Sequence, residues 1–431
     1  MTAFGVIAPH VGCNDRGGDV IRNRDLEAHR RTQQTQPAPS LPAVASPVGE
    51  DQWPGYRGPQ RDGVVSASTI QLPWPESGPR LLWKQPVGAG HGSFAVVHGR
   101  AYTIEQRADQ EVVACYAVDT GRELWAHRYP ARFSEAMGGP GPRSTPTFAA
   151  GRIYALGATG VLSCLEADTG KVVWSRDILA DASADNVEWA MSGSPLVADG
   201  EVYVAPGGKG ASVVAYDAAS GEPVWKSGSY KAGYASPVIA TLRGTPHLLV
   251  FDAEGLSAYA SDTGAELWHF GWKTSYDVNA GQPIVIDDAS VIIASGYGSG
   301  CTLLGIGDDA SVTPKWKNKN LRLKFSSAVL TGNVVYGLDE QILVALDVAT
   351  GERRWKGGRY GYGQLVLIGE HLLIQCENGD LALVEATPEA HRELRRVEAL
   401  ANKTWNHPAV AESKLLIRND REMRCYDLSG T

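Results

Sequence analysis

The chain has 431 residues and a net charge of −8, with 48 acidic and 40 basic side chains. An acidic chain lacks the positive field that phosphate binding needs, so the composition disfavours a nucleic-acid-binding protein. No stretch reaches the roughly 18 apolar residues that a membrane-spanning helix requires. The 49 glycines and 12 tryptophans instead indicate a fold with many tight turns and regularly placed large aromatic side chains.

The first fifty residues differ in composition from the rest of the chain. They combine a polar run, DRGGDVIRNRDLEAHRRTQQTQ, with the proline-rich segment PAPSLPAVASP. Segments of this kind bury too little apolar surface to fold, so residues 1–50 are predicted to be a disordered tether. Residues 51–80 are predicted to be an extension that packs on the following domain, which spans residues 81–431.

The start of the chain contains one candidate modification site. MTAFGVIAPHVGC ends in Gly12-Cys13 and resembles the tail of a bacterial lipoprotein signal, in which the cysteine is acylated. The resemblance implies export to the periplasm or cell envelope, with membrane contact only through a lipid on Cys13. The missing basic region and the presence of His10 leave open an N-terminus without any targeting role.

A short motif recurs five times along the chain, and each copy ends in a tryptophan four positions after a turn glycine. The copies are CYAVDTGRELW to Trp125, CLEADTGKVVW to Trp174, AYDAASGEPVW to Trp225, AYASDTGAELW to Trp268 and ALDVATGERRW to Trp355. The glycine supplies the positive φ of a tight reversal, which makes the motif a β-hairpin. Such a repeat marks an architecture in which each unit buries its apolar face against its neighbours.

A second hairpin precedes each motif. Segments such as SPLVADGEVYV alternate apolar and other residues around a turn, which is marked by Gly99, Gly151, Gly200, Gly332 and Gly369. Two hairpins give four strands per repeat, which is the composition of a β-propeller blade.

Three further blades complete the ring. One runs from Gln282 to Trp316 without a turn glycine, and one starts at Gln364 with Leu394 in place of the tryptophan. The last begins at His407 and lacks a fourth strand, which the segment Leu81-Leu82-Trp83 can supply. The sequence therefore predicts an all-β, eight-bladed propeller of four-stranded antiparallel blades, closed by an N-terminal strand that completes the last blade. The residues predicted to dock one blade on the next are Trp83, Trp125, Trp174, Trp225, Trp268, Trp316 and Trp355.

The cysteines indicate neither a disulfide framework nor a metal site. Cys115, Cys164 and Cys425 share one repeat position, which alanine fills in other blades, so they are predicted to be small buried core residues. The sequence has no CxxC pair, no adjacent cysteines and no HxH or HExxH spacing. No metal site is therefore predicted.

The turn-and-tryptophan repeat resembles that of the PQQ-binding-like propellers of the quinoprotein alcohol dehydrogenase-like superfamily. This superfamily contains enzymes that bind pyrroloquinoline quinone (PQQ) and non-enzymatic members such as BamB, an outer-membrane assembly lipoprotein. The leader WPGYRGPQRDGVV, from Trp53 to Val65, adds a resemblance to exported PQQ-like repeat proteins. The enzymes hold a calcium ion under the quinone, use a catalytic aspartate and often carry adjacent cysteines, and none of these is matched residue by residue in this chain. The resemblance thus implies the fold and leaves the cofactor undecided.

A propeller concentrates the loops that enter its innermost strands around one mouth of the central channel. The candidates for binding a ligand or partner at this mouth are His91, Arg143, Trp189, Tyr234, Asn279, Lys324, Phe325, Tyr362, Trp405, Asn406 and His407. Arg143 and Lys324 could hold an anion, and Trp189 or Trp405 could stack on a planar group. The same residue types suit a protein-binding hot spot, and the remaining alternative is that they plug the mouth and satisfy one another.

These observations favour a non-catalytic, monomeric propeller that presents its channel face to a protein or peptide partner and binds no cofactor. No catalytic residue is predicted. The competing hypothesis is a PQQ-dependent dehydrogenase of alcohols or sugars, with quinone and calcium at the same mouth. A third hypothesis is a purely structural ring inside a larger assembly.

Overall fold

The computed structural model describes residues 16–35, 41–44, 47–65 and 69–430, and Cys13 lies outside them. Eight sheets of antiparallel strands form the body of the molecule. Contacts between the first strands of successive sheets place those strands around a central channel. The predicted eight-bladed propeller is therefore confirmed. No helix in the described ranges has the length and apolar character needed to cross a membrane.

In chain order, the helices and strands are α1 (Arg16–Gln34), β1 (Val64–Val65), β2 (Arg80–Pro86), β3 (Ala95–Val97), β4 (Arg100–Arg107), β5 (Gln110–Ala117), β6 (Glu123–Pro130), β7 (Ser134–Glu135), β8 (Gly139–Pro140), β9 (Thr147–Ala149), β10 (Arg152–Leu156), β11 (Val161–Glu166), β12 (Val172–Asp177), α2 (Ile178–Ala182), β13 (Leu196–Ala198), β14 (Glu201–Val204), β15 (Val213–Asp217), β16 (Pro223–Ser227), β17 (Val238–Leu242), β18 (Thr245–Phe251), β19 (Gly255–Ala260), β20 (Glu266–Gly271), a 3₁₀ turn (Ser275–Asp277), β21 (Ile284–Asp287), β22 (Ser290–Ser295), β23 (Gly300–Ile306), β24 (Val312–Asn318), β25 (Val329–Thr331), β26 (Val334–Asp339), β27 (Ile342–Asp347), β28 (Arg353–Arg359), β29 (Gln364–Ile368), β30 (His371–Gln375), β31 (Leu381–Glu385), β32 (Glu393–Val397), β33 (Ala409–Ala411), β34 (Lys414–Arg418) and β35 (Glu422–Asp427).

The strands divide into blades in sequence order. Blade 1 is β3–β6, blade 2 is β9–β12, blade 3 is β13–β16, blade 4 is β17–β20, blade 5 is β21–β24, blade 6 is β25–β28, and blade 7 is β29–β32 with β1 added at its inner edge. Blade 8 has the order β2-β35-β34-β33, so its outermost strand comes from the N-terminal part of the chain. Trp83 lies opposite Cys425, and Gln85 lies opposite Met423. The predicted closure by an N-terminal strand is thus present.

The docking tryptophans join each blade to the next. In six of them the indole N–H donates to a backbone carbonyl of the following blade: Trp83 to Val118 (2.7 Å), Trp125 to Ala167 (3.0 Å), Trp174 to Ala218 (3.1 Å), Trp225 to Ser261 (3.1 Å), Trp316 to Val348 (2.9 Å) and Trp355 to Thr387 (2.8 Å). The turn glycine of the following blade leaves room for the ring. A β-carbon on Gly121 would lie 2.7 Å from Cε3 of Trp83, and the φ of this glycine is +66°.

Trp268 is the exception among the seven, because its buried indole N–H has no hydrogen-bond partner among the described residues. The equivalent carbonyl in blade 5 is that of Ile306, whose N–H bonds to Ala289 as Val118 bonds to Gly99 in blade 1. This carbonyl accepts a hydrogen bond from Nε of Arg243 at 2.7 Å. An arginine from the preceding blade therefore occupies the acceptor that a docking tryptophan uses elsewhere.

Blade 7 differs from the prediction that Leu394 replaces the docking tryptophan. Arg395 lies opposite Leu383 beside a β-bulge, as Trp355 lies opposite Ala345 in blade 6. Leu394 is the bulged residue. The prediction was wrong by one position because hydrophobicity suggested the leucine, whereas the bulge sets the register. Arg395 Nε donates to the carbonyl of Trp74 at 3.3 Å.

The N-terminal segment also differs from the predicted disordered tether over residues 1–50, because part of it forms helix α1. Leu26, Arg30 and Gln33 are buried, at the i, i+4 and i+7 spacing of one helix face. Arg30 donates to the carbonyl of Pro86 in β2 and lies 3.5 Å from a carboxylate oxygen of Glu123 in β6. One helix residue thus bridges the closing strand and blade 1. Only one of the three buried residues is apolar, which is why hydrophobic periodicity gave no signal.

The five cysteines within the described residues are all free and buried. Cys115, Cys164 and Cys425 each lie opposite a docking tryptophan, at the position that Ala215 occupies in blade 3. Burial raises the pKa of Cys425 to about 12. These thiols are core residues and lack the thiolate character of a nucleophile.

Candidate functional site

The channel mouth lies where the chain enters the first strand of each blade. A belt of hydrogen bonds fixes these entry points: the backbone N–H of Ser93 donates to the hydroxyl of Thr145, that of Thr145 to Ser194, and that of Ser194 to Ser236, each at 2.9 Å. Each bond joins one blade to the next. The serines and threonines that begin the blades are therefore structural, and they hold the neighbouring loop residues at fixed positions around the mouth.

Residues 51–65, which we call the channel plug, lie inside the ring. Trp53 forms a β-bridge with Val96 of β3, and the carbonyl of Pro54 accepts a hydrogen bond from Phe148 of β9 at 2.7 Å. β1 pairs in parallel with β29, the innermost strand of blade 7. Residues 51–65 of the predicted extension, which spanned residues 51–80, thus pack within the channel, against the innermost strands of several blades.

Two buried arginines anchor the channel plug through backbone carbonyls. Arg57 donates to Ala328 at 2.6 Å, and Arg61 donates to Ser194 at 2.9 Å and Pro195 at 3.0 Å. Neither guanidinium forms an ion pair with a carboxylate in the described part of the chain. Burial lowers the pKa of both groups, that of Arg61 to about 10. The plug therefore brings positive charge into the centre of the ring.

A cavity of about 180 Å³ opens at the mouth, with Tyr56 of the channel plug among its lining residues. Seven of the candidates chosen from the sequence line it: His91, Arg143, Trp189, Tyr234, Phe325, Trp405 and His407. The rule that strand-entry loops share one mouth therefore identified seven of the 19 lining residues, among them four of the six Phe, Tyr and Trp side chains.

Two asparagines among the candidates are structural in this fold. Asn279 is fully buried, donates to the carbonyls of Asp252 and Trp272, and accepts a hydrogen bond from Ser295. Asn406 is also buried and donates to the carbonyls of two glycines in the loop that leads into blade 1. These side chains hold loops together and do not line the cavity.

Lys324 and Tyr362 lie at the rim of the cavity. The Lys324 ammonium is 5.1 Å from the ring centroid of Tyr297 and 4.5 Å from that of Tyr362. Its Nζ is 3.5 Å from the Tyr362 hydroxyl. Tyr297 lines the cavity, so the ammonium group stands between one wall residue and one rim residue. This cation forms no ion pair with a carboxylate among the described residues.

Trp405 is the centre of an aromatic cluster on the wall. Its ring lies 5.3 Å from that of His91 and 4.7 Å from that of Phe325, measured between centroids. Its indole N–H donates to Glu377 at 2.8 Å. Tilted pairs at these separations are favourable aromatic contacts, and the hydrogen bond fixes the ring orientation.

Both mouth histidines are neutral at neutral pH. Burial and the neighbouring Arg143 lower the pKa of His91 to about 3, and burial and Arg57 do the same for His407. His91 Nε2 lies 2.7 Å from the carbonyl of Gly138, to which it donates, and His407 Nδ1 donates likewise to Pro408. Bases with such a low pKa are poor proton acceptors for catalysis.

Arg143 is engaged by its own loop, contrary to the idea that it is free to hold an anion. Its guanidinium contacts Glu135 at 3.1 Å and donates to the carbonyls of Gly139 and Gly141. Glu135 also accepts hydrogen bonds from the backbone N–H groups of Met137 and Gly138. The charge of each side chain is therefore satisfied within the β7–β8 hairpin.

Several wall residues were not among the candidates chosen from the sequence. Tyr56 enters from the channel plug, Glu135 from the β7–β8 hairpin, and Tyr297 from the loop between the second and third strands of blade 5. Tyr276 is 71% exposed and makes edge contacts with Trp189 and Tyr297. The candidates came from strand-entry loops alone, although the loops between second and third strands reach the same face.

The residues at the mouth do not fit a calcium-bound quinone. Glu135 is the one carboxylate among the cavity-lining residues, and it is already paired with Arg143. Within the described ranges no group of three or more His, Cys, Asp or Glu side chains is placed to hold a metal ion. Calcium binds several oxygen ligands, usually with carboxylates among them. Besides Glu135, the described lining offers the Gln364 amide and hydroxyl groups, and those of Ser194 and Ser236 already accept backbone hydrogen bonds.

Comparison with known proteins shows similarity of this chain to two kinds of protein. A family model described as outer membrane protein assembly factor BamB matches residues 108–357, which is more than half of the chain. No curated relative matches the sequence. The crystal structure of BamB from Moraxella catarrhalis is similar with a TM-score of 0.59 and 17% identity, over 81% of this chain and 99% of that one.

Two other solved structures share the fold. The quinohemoprotein alcohol dehydrogenase from Comamonas testosteroni has a TM-score of 0.67 at 13% identity, covering 95% of this chain and 84% of that one. The computationally designed Ika8 protein has a TM-score of 0.57 at 11% identity, covering 81% of this chain and 100% of that one. These similarities establish the fold, but they do not determine which activity the chain has. The family-model match is the more specific result, and by it the chain belongs to the family of the outer membrane protein assembly factor BamB.

Proposed function

We propose that the channel mouth binds a protein or peptide partner, and that the chain is a non-catalytic assembly or scaffolding component of the bacterial cell envelope. The observation that carries the proposal is the composition of the mouth. Trp189, Tyr234, Tyr297, Phe325 and Trp405 wall a small cavity that is open to one face of the ring. Aromatic residues in such a position are the typical anchors of protein interfaces.

A loop at the same face supports a binding role. Tyr276 has a φ of +66° and Asp277 a φ of +58°, so two successive non-glycine residues adopt the left-handed conformation. This backbone holds a tyrosine side chain exposed beside Trp189. Strained backbone next to a cavity is typical of binding sites, where the strain presents a side chain to a partner.

The polar groups at the mouth argue against catalysis. Glu135 is paired with Arg143, and Glu377 accepts hydrogen bonds from Trp405 and from the backbone of Tyr362. The two mouth histidines are held neutral at a pKa of about 3, so neither is suited to accept a proton in general base catalysis at neutral pH.

The second candidate function is a quinone-dependent dehydrogenase, which the likeness to the Comamonas testosteroni enzyme favours at the level of fold. Bound PQQ would supply the hydride acceptor in such an enzyme. The one lining carboxylate, Glu135, is paired with Arg143, so the described residues of the mouth do not fit the calcium ion of such an enzyme. The binding proposal, in contrast, depends only on aromatic side chains that line the cavity.

Site-specific photo-crosslinking in the producing cells tests the proposal. A photoreactive residue replaces Met137, which lines the cavity and is 56% exposed, and a matched control places it at Val224 on the outer edge of blade 3, which is 50% exposed. We expect one protein to crosslink from position 137 and not from position 224. That protein is then purified and titrated with the wild-type chain and with Trp405→Ala, which we expect to weaken binding at least about tenfold.

Two outcomes would overturn the proposal. Equal affinity of the purified partner for Trp405→Ala and wild type would place its binding site elsewhere. Titration with PQQ and calcium is the second arm: micromolar uptake of the quinone together with dye reduction would establish the dehydrogenase instead.

A further inference from the structure

A row of basic residues leads from the outer edge of blade 5 to the channel mouth. The segment from 315 to 324, KWKNKNLRLK, contains Lys315, Lys317, Lys319, Arg322 and Lys324 and no acidic residue. It begins on β24, the outermost strand of blade 5, crosses to blade 6 and ends at the cavity rim. We call these five residues the basic track. The row stands out because the chain as a whole has a net charge of −8.

The fold turns the cations of the crossover outward. Leu321 and Leu323 are fully buried in the core between blades 5 and 6, whereas Arg322 and Lys324, which alternate with them, are only partly buried. Lys319 is exposed at the start of this crossover. The leucines thus fix the positions at which the charges are presented.

The neighbouring blade adds further positive charge. Asp339 is buried, and its carboxylate is shared by Arg322 at 2.6 Å, Arg353 at 2.9 Å and Lys356. Even with Glu340 also near Arg322, the three cations outnumber the acidic groups at this point. Arg353 also donates to the carbonyls of the crossover, which joins the outer strand of blade 6 to the basic track.

The lysines of the basic track have no carboxylate partner among the described residues. Lys315 donates to the hydroxyl of Ser290 at 2.8 Å, and the Lys317 ammonium lies 4.5 Å from the ring centroid of Trp272. Lys324 stands between the rings of Tyr297 and Tyr362. Surface cations that have no carboxylate partner within the chain are available to bind a partner protein of opposite charge.

Protection of an exposed sheet edge does not explain the row. Lysines on an outer strand do prevent edge-to-edge pairing. However, the outer strands of blades 7 and 8 carry as many basic residues as β24, and most of those pair with carboxylates: Arg80 and Lys84 of β2 with Asp427 and Glu422, and Arg396 of β32 with Glu393. Lys315 and Lys317 of β24 differ in having no carboxylate partner among the described residues, which edge protection alone does not explain.

We infer that the partner presents an extended acidic segment that lies along the basic track and places one ring-bearing side chain in the mouth cavity. This inference rests on the proposed function, and it names the chemistry of the partner. A cavity of about 150 Å³ can hold a benzene ring, and the mouth cavity of about 180 Å³ is of that size. Its aromatic walls favour a ring, and the charges beside it favour carboxylates.

Calorimetric titration of the full-length protein with synthetic peptides tests the inference. The probes are acetylated, amidated peptides in which Asp and Glu residues flank a single Phe, Tyr or Trp. One control set replaces the acids by Asn and Gln, and another replaces the aromatic residue by Ala. We expect the acidic aromatic peptides to bind, both control sets to bind at least about tenfold more weakly, and high salt to weaken the binding.

Charge reversal locates the site. Lys317→Glu with Lys319→Glu should weaken peptide binding at least about tenfold and reduce its salt dependence. Lys171→Glu with Lys209→Glu makes the same change in net charge at exposed lysines of other blades, and it should leave the affinity within about twofold. These lysines have exposed side chains, so both variants are expected to fold.

Several results would overturn the inference. They are failure of every acidic aromatic peptide to bind at about 1 mM, equal binding of the neutral peptides, and equal effects of the two charge reversals. Binding of anionic phospholipid vesicles or polyphosphate to the basic track without peptide binding would assign the track to another class of partner. If the crosslinked partner depends on Trp405 but tolerates the Lys317 and Lys319 reversal, the proposed function stands and this inference fails.

Discussion

The indole N–H of Trp225 donates a hydrogen bond to the carbonyl oxygen of Ser261 in the next blade, at 3.1 Å. The ring also packs on Gly264, where a β-carbon would collide with it. Each such contact links two neighbouring blades only. Because a closed ring depends on every junction, the docking tryptophans control the stability of the whole fold.

Replacement of Trp225 by alanine should lower the free energy of unfolding by about 2–4 kcal/mol, since it removes a partly buried aromatic side chain together with its hydrogen bond to the next blade. Val224, its neighbour on β16, is 50% exposed. Val224→Ala is therefore the matched control and should change the free energy of unfolding by no more than about 0.5 kcal/mol. Urea unfolding followed by circular dichroism measures both. Equal effects of the two substitutions would show that the junction contributes little.

The sequence predicted those parts of the fold in which one local pattern recurs. The turn glycine and tryptophan four residues later define a hairpin on their own, so blade number and closure followed from counting. The position of Arg395 could not be predicted in the same way, because a bulge shifts the pairing by one residue and the sequence does not mark it.

The segments before the first full blade were harder to predict. Helix α1 is held on the propeller by ion pairs such as that of Glu27 with Arg128. The sequence around a single charged residue does not indicate which distant residue it pairs with. The channel plug was expected to pack on the propeller, but its position inside the ring depends on backbone hydrogen bonds to several blades. Tyr56 lines the mouth cavity because the channel plug, to which it belongs, lies inside the ring. Local sequence patterns do not predict contacts between residues so far apart along the chain.

His407 should make the stability of the protein depend on pH. Its pKa is about 3 in the folded chain and 6.5 when unperturbed, so the unfolded state binds a proton first as pH falls. The stability contributed by the neutral buried imidazole is complete above pH 6.5 and is lost progressively towards pH 3. Each pH unit in this window should cost up to about 1.4 kcal/mol.

The substitution His407→Gln isolates this effect. We expect the free energy of unfolding to fall less steeply below pH 6.5 in the variant than in the wild type. Urea titrations at a series of pH values provide the comparison. Parallel curves for the two proteins would mean that His407 becomes protonated without unfolding and that its burial is not what the structure indicates.

Arg30 should determine whether helix α1 stays on the propeller. It donates to the carbonyl of Pro86 and to Gln33, and it lies over the ring of Tyr116 at 4.7 Å from the centroid. Arg30→Ala leaves these groups without their partner and should cost about 1–3 kcal/mol. Hydrogen exchange across residues 22–34 should increase at the same time. The neighbouring Arg31 is exposed, and Arg31→Ala should change neither quantity; if it has the same effect as Arg30→Ala, helix docking does not depend on the buried guanidinium.

The channel plug should protect specific amides of the innermost strands. The N–H groups of Val96, Phe148 and Leu367 donate to carbonyls of residues 53, 54 and 63 at 2.6, 2.7 and 2.9 Å. A chain that begins at residue 69 lacks these acceptors, whereas a chain that begins at residue 41 retains them and lacks residues 1–40, which include α1. We expect the three amides to exchange at least about tenfold faster in the shorter chain than in the longer one.

The comparison of the two truncated chains separates the plug from the helix. Amides of β17 in blade 4 serve as an internal control, since no hydrogen bond links that strand to the channel plug in the described residues. If exchange rises equally in β17 and at the three amides, removal of the plug loosens the whole ring. If it rises at none of them, the innermost strands hold the channel without the plug. If the exchange rate rises only at Val96, Phe148 and Leu367, the propeller keeps its structure without the channel plug. The plug is then a separate segment that fills the channel and is not needed to hold the blades together.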